Sequence, residues 1–282
     1  MAEIQVVTDS ACDLSPDTAQ ERDIRVVPLK IRFGSEEFVD REELSTKEFW
    51  DRVITGEVIP ETAAPSPGAF QEAFEEAAGR GHSGVLCVTI SSGLSATYQA
   101  ASTAAAAVGG RIPVRIVDSL TLTLGQGLLA LAACDLAERG EPLDLICASI
   151  EELKTRTRVY GVVESLDFLR QGGRIGGAAH LVGSLLSIKP VIEVRDGVVE
   201  VESKQRTRIR SLQYLASKAV DSSPLERLGV ANGAAKDIDE VLELLKNVET
   251  ENEVIVTDLG PVIGSHAGPG SIGLCFQTKR AN

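Results

Sequence analysis

The sequence has no cysteine pair. Cys12, Cys87, Cys134, Cys147 and Cys275 stand singly, mostly among apolar neighbours and without C-x-x-C spacing. That argues against a disulfide framework and points to buried, reduced thiols. Positive charge is scarce as well: 28 Lys and Arg against 41 Asp and Glu give a formal net charge of −13. A nucleic-acid partner is excluded on that ground, because such binding draws on clustered cations that release counterions. Long apolar runs are missing. The longest uncharged stretch, 119–134, is too short for a bilayer and is broken by Thr121, Thr123, Gly125 and Gln126. The opening MAEIQVVTDSACD carries acids where an export signal needs a basic region, so a cytoplasmic protein with no membrane span is expected. There is no H-E-x-x-H motif or Cys/His cluster to suggest a metal, and no G-x-S-x-G elbow to suggest a hydrolase.

What is present is ordinary globular composition, 43% hydrophobic and 24% charged over 282 residues, a length better served by two domains than by one core. The fold class expected is α/β. In the first half, short β-branched runs (IQVVTDS, IRVVPLKIRFG, SGVLCVTIS, VRIVDS) alternate with helical patterns, as in βαβ units around a parallel sheet. Ser45 with Glu48 reads as a capping box, and Pro67 suits the first turn of a helix. Beyond Thr157 the strands RVYGVVESL, SIKPVIEVRDGVVEVESKQRT and NEVIVTDLG follow with fewer helices, and Asp196-Gly197 marks a hairpin. An N-terminal α/β domain, 1–157, and a C-terminal mixed α+β domain, 158–282, are therefore expected.

Three strand ends of the first half open into hydroxyl-rich turns: Thr8-Asp9-Ser10, Ser91-Ser92-Gly93-Leu94-Ser95 and Asp118-Ser119. Such turns place hydroxyls and free N–H groups where open α/β sheets bind anions, although helix capping is their commonest role. Prolines at 60, 65 and 67 stiffen the segment around Thr62 and hold it extended. Arg174 projects from Gln171-Gly172-Gly173-Arg174-Ile175-Gly176-Gly177, and Arg206, Arg208 and Arg210 beside Lys204 form a cationic run. Each reads either as an anion or partner contact or as a solvated surface. His266 follows the strand-like run Pro261-Val262-Ile263 and precedes a Gly-Pro-Gly turn; its imidazole can donate to a carboxylate in either tautomer. The string Gly268-Pro269-Gly270-Ser271-Ile272-Gly273 matches G-x-G-x-x-G but leaves no room for a following βαβ unit, so it is set aside. A triad of Ser95, His266 and Asp118 lacks a nucleophile elbow.

The ordered set TDS (8–10), T-x-x-P-S (62–66), SSGLSATYQ (91–99), VDS (117–119), QGGRIG (171–176), IKPVI (188–192) and GSHAGPG (264–270) resembles the DegV family of bacterial fatty-acid-binding proteins, from residue 4 to about 276. The resemblance implies a two-domain fold with a long-chain fatty acid between the domains, no further cofactor and no catalysis by this chain alone. It further implies that the acid is presented to a separate fatty acid kinase, which forms an acyl phosphate from it with ATP. By the motifs, Thr62, a serine of 91–99 (Ser95 ahead of Ser92) and His266 hold the carboxylate, while Arg174 and Arg206 lie near the pocket mouth and the kinase face. The chain departs from the family where Ala63-Ala64, Ala96 and Gln171 stand. A buried acyl chain of about 15 methylenes gains on the order of 12 kcal/mol before ordering costs. A lipid-sensing regulator without a kinase, and a Ser/His esterase, are the alternatives carried forward.

Overall fold

A computed structural model of the chain describes residues 4–56, 58–181 and 188–280. The first three residues, and Ser187 at the start of one expected strand, lie outside them. The strands are β1 (Ile4–Asp9), β2 (Arg25–Val27), β3 (Lys30–Phe33), β4 (Glu36–Val39), β5 (Glu61–Ala63), β6 (Gly84–Thr89), β7 (Val114–Asp118), β8 (Thr157–Val162), β9 (Lys189–Arg195), β10 (Val198–Gln205), β11 (Leu225–Gly233), β12 (Ile255–Asp258) and β13 (Ser271–Thr278). The helices are α1 (Pro16–Glu21), α2 (Thr46–Thr55), α3 (Pro67–Gly79), α4 (Thr97–Val108), α5 (Thr123–Glu138), α6 (Leu143–Leu153), α7 (Asp167–Gln171), α8 (Arg208–Ser222), α9 (Ile238–Leu245) and α10 (Pro261–Ala267). None of the described helices is long and apolar enough to cross a membrane.

The fold is α/β with a parallel sheet and a mixed sheet. Strands β2-β1-β6-β7 form the parallel sheet, β4-β3-β5 a small antiparallel one, and β10-β9-β8-β13-β11-β12 the mixed one, whose members all follow Arg156. Helix starts are set by local chemistry. The hydroxyls of Ser45 and Ser66 accept from the N–H groups of Glu48 and Ala69, with Pro67 in the first turn of α3. Asp196 and Gly197, both at positive φ, turn the β9–β10 hairpin.

Helix α5 joins the two larger sheets. From Thr123 to Cys134 every residue is buried, the pattern of a helix with no solvent face. Its small residues let both sheets approach: a side chain at Gly127 would strike the Cys12 carbonyl oxygen, and one at Gly125 would strike Val159 of β8. In return, Gly229 of β11 makes room for Leu124. The largest core cluster therefore draws from both halves of the chain, Leu86, Leu128 and Val163 among them. Each fully buried leucine contributes roughly 1.5–3 kcal/mol. Helices α3 and α4 cover the far side of the parallel sheet, and α8 and α9 the far side of the mixed one, so that alternate residues of β8 and β13 face α5 on one side and α8 on the other.

Two expectations fail locally. Pro261-Val262-Ile263 is the first turn of α10 and not a strand. Its proline takes the position whose missing N–H costs nothing, and the carboxylate of Asp13, far away in sequence, accepts from the Gly260 N–H at the helix entrance (2.9 Å). The hydroxyl-rich strand ends also do not jointly form an anion site. Asp9 fills the crevice between β1 and β6 itself, accepting from Ala11 and Ile90 N–H; Ser10 accepts from Leu29 N–H, Ser91 donates to the Gly197 carbonyl and Ser119 to that of Thr121.

Candidate ligand-binding site

Between the parallel half and the inner face of the mixed sheet lies an apolar cavity, whose empty space including its open mouth is about 1050 Å³. Its walls are Val159, Ile192, Val194 and Val199 from the mixed sheet, Ile90, Leu94 and Leu122 from loops of the parallel half, and Val262 and Ile263 of α10. Thr62, Ser95, Arg174 and His266 also line it, and Thr62 and His266 are in direct contact.

Three distant segments build that polar end. Thr62 is held extended in β5 by pairing with Ile31 of β3, and its Oγ1 lies 2.9 Å from Nε2 of His266. His266 sits on the last turn of α10, whose entrance is fixed twice: by Asp13 on Gly260, and by the Trp50 indole donating to the Leu259 carbonyl (2.9 Å). Gly264 lies against the rings of Phe49 and Trp50 so closely that a methyl group there would sit 2.6 Å from Phe49. The third segment is the glycine-flanked loop after α7. Arg174 there donates from Nε to the Leu94 carbonyl (3.0 Å) and from Nη1 to the Gly172 carbonyl (2.7 Å). Gly172 is required by close approach, since a Cβ would lie 2.1 Å from Nδ1 of His266.

Burial, and then the positive charge of Arg174, push the pKa of His266 down from 6.5 to about 4, so the ring is neutral near pH 7. Its Nδ1 is buried with no partner among the described residues. A buried unpaired N–H costs more than a buried unpaired acceptor, so the proton belongs on Nε2. There it donates to Thr62, whose own hydroxyl hydrogen is then free to point into the cavity. The arrangement offers an anion one hydroxyl donor backed by an imidazole, with a guanidinium beside it.

The other sequence candidates divide. Ser95 faces the cavity and its hydroxyl is 2.8 Å from that of Thr97. Ser92 is exposed, is not part of the cavity wall, and has both its N–H and its hydroxyl on the Asp118 carboxylate. With Asp118 on Ser92, Ser95 on Thr97 and His266 on Thr62, the imagined triad is not assembled. Arg206 is exposed between β10 and α8 and is not in the cavity wall. Arg208 is spent on Asp237 and Glu164. The departures at Ala64 and Ala96 both fall on the cavity wall, where each presents an apolar methyl group.

Sequence reasoning passed over a group of buried carboxyls beneath the site. Asp9 and Asp40 are fully buried and Asp13 nearly so; burial raises their pKa values to about 6 for Asp9 and Asp40 and about 7 for Asp13. Both oxygens of Asp40 and the Oδ2 of Asp13 lack partners among the described residues. A run such as TDSACD shows nothing of this, because the burial comes from α5 and α10.

The model of the family described as "Uncharacterised protein, DegV family" matches residues 3–279. A DegV domain-containing protein of Listeria monocytogenes is 33% identical over 98% of this chain and 99% of its own length. Among solved structures, a DegV family protein from Thermus thermophilus, described for its fatty acid binding, superposes with a TM-score of 0.88 at 32% identity, covering 98% of this chain and 100% of that one. A stearic acid-binding protein from Eubacterium ventriosum superposes at 0.87 with 28% identity, covering 97% of this chain and 98% of that one.

Proposed function

The chain belongs to the DegV family, and on that premise we propose that it binds a long-chain fatty acid in the cavity between its two halves. It presents the carboxylate to a separate fatty acid kinase, which phosphorylates it with ATP to an acyl phosphate. The two halves, 1–157 and 158–282, act as the lobes that enclose the acyl chain. The observation that carries this reading is the Thr62–His266 pair in the wall of an otherwise mostly apolar cavity. An ionised head group buried there needs donors, and the hydroxyls of Thr62 and Ser95 with Arg174 supply them, His266 backing Thr62. Affinity comes from the chain, at about 0.8 kcal/mol per buried methylene.

The protein contributes binding and orientation, not bond making. Among the described residues Ser95 has no general base, since His266 in the cavity wall is engaged by Thr62. Arg174 offsets the carboxylate charge, and Arg206, exposed outside the cavity, is a kinase contact. Cytoplasmic residence accords with five unpaired cysteines and with the kinase's need for ATP.

Delipidated protein is titrated with oleate or palmitate, and the loaded form is then incubated with a fatty acid kinase and ATP. Saturable binding followed by ATP-dependent acyl phosphate is expected. Binding without phosphorylation favours the lipid sensor over the kinase substrate carrier, and no binding overturns the reading.

A further inference from the structure

Glycine inside a strand weakens it, and where it stands there it marks a bulge, a tight packing contact or the close approach of a ligand. The described strands hold five glycines. Three are explained by the protein's own packing: a Cβ at Gly84 would lie 2.9 Å from Leu143, at Gly229 2.8 Å from Leu124, and at Gly233 2.1 Å from the Ser271 hydroxyl. Gly161 of β8 and Gly273 of β13 are different. A Cβ at Gly273 would meet nothing nearer than the Ala231 Cβ at 3.5 Å, and one at Gly161 would meet the Ile192 side chain at 3.3 Å. Neither is at positive φ, so backbone geometry does not require glycine at either place.

The two face each other directly across the β8–β13 pair, and both line the cavity. Their neighbours in register toward α5 are Val159 and Cys275, both in the core cluster that α5 helps to form. They are therefore the bare stretch of the sheet's inner face just before α5 closes on it.

We propose that Gly161 and Gly273 are specificity-determining residues. The side chains they lack are the space the acyl chain crosses, and their size limits the length of chain the cavity takes. This rests on the fatty-acid reading. Close packing makes the three carbons added by Gly273→Val displace about three carbons of ligand, and a β-branched residue suits the strand.

The test compares wild type, Gly273→Ala and Gly273→Val, each delipidated, for binding of palmitate and laurate, with thermal melting as the check on folding. The preference for palmitate over laurate should fall roughly 50-fold in Gly273→Val and about fourfold in Gly273→Ala, the worth of about three methylenes and one. Should the valine variant fail to fold, the alanine variant decides. An unchanged preference in a folded variant overturns the proposal while leaving fatty acid binding intact; wild type that binds neither acid overturns the underlying reading instead.

Discussion

Replacing Gly172 by alanine tests the placement of His266 without removing any polar group. The glycine has φ −72° and ψ −5°, a conformation alanine adopts at no cost, so the loop itself should tolerate the change. The added methyl, however, would lie 2.1 Å from Nδ1 and 2.7 Å from Cε1 of His266, with the Phe168 carbonyl oxygen 3.2 Å from it. An ordinary carbon contact is near 3.5 Å, so the ring must shift by more than about 1 Å, and the 2.9 Å contact with Thr62 cannot survive that. Without His266 to hold it, the Thr62 hydroxyl is lost as an oriented donor to the charged head group, at a cost of about 1.5–3 kcal/mol, which is roughly a 10- to 150-fold weaker Kd. Displacement of a fluorescent fatty acid reads the affinity, and thermal melting confirms the fold. In a His266→Ala background the same substitution should cost nothing further, because the group it displaces is gone. Wild-type affinity in folded Gly172→Ala, or a full additional loss in the double variant, would refute the reasoning.

Three further outcomes follow from burial. The folded pKa of His266, about 4, lies below its ordinary 6.5, so its contribution is present above pH 6.5 and is lost as pH falls toward 4. Relative to His266→Gln, the delipidated wild type should lose on the order of 3 kcal/mol over that window, and parallel urea titrations at several pH values measure it. Asp13 has the opposite sign: its pKa is raised from 3.8 to about 7, so stability present below pH 3.8 is lost as pH rises through 7. Asp13→Asn keeps an acceptor for the Gly260 N–H and should be the more stable protein at pH 8, by up to about 4 kcal/mol; a lower melting temperature at pH 8 would show that the ionised carboxylate is needed. Gly264→Ala should destabilise by roughly 1–3 kcal/mol through the clash with Phe49 and Trp50, and an unchanged melting temperature would mean that α10 has room to move.

Much of the scaffold was legible because its cues are local. The cap of α2 at Ser45, Pro67 in the first turn of α3 and the Asp196-Gly197 hairpin are decided within a few residues, and the parallel half follows from β-branched runs alternating with helices. What escaped depends on distant partners. The segment LERLGVANG gives no clean strand pattern, yet it forms β11, between β13 and β12, where Gly229 leaves room for Leu124 of α5. His266 was singled out on its neighbours alone, but its helix is held by Asp13 and Trp50, far away in sequence. Nor does the spacing of 91–99 choose between Ser92 and Ser95; the Asp118 carboxylate occupies the former and leaves the latter on the cavity wall.

The central claim is that the cavity holds a fatty acid by its carboxylate, and the contents of the purified protein test it most directly. Denaturing extraction followed by mass spectrometry should release a long-chain fatty acid close to equimolar with wild-type protein and much less from folded Thr62→Val or His266→Ala. Empty wild-type protein that also fails to take up added oleate or palmitate would contradict it.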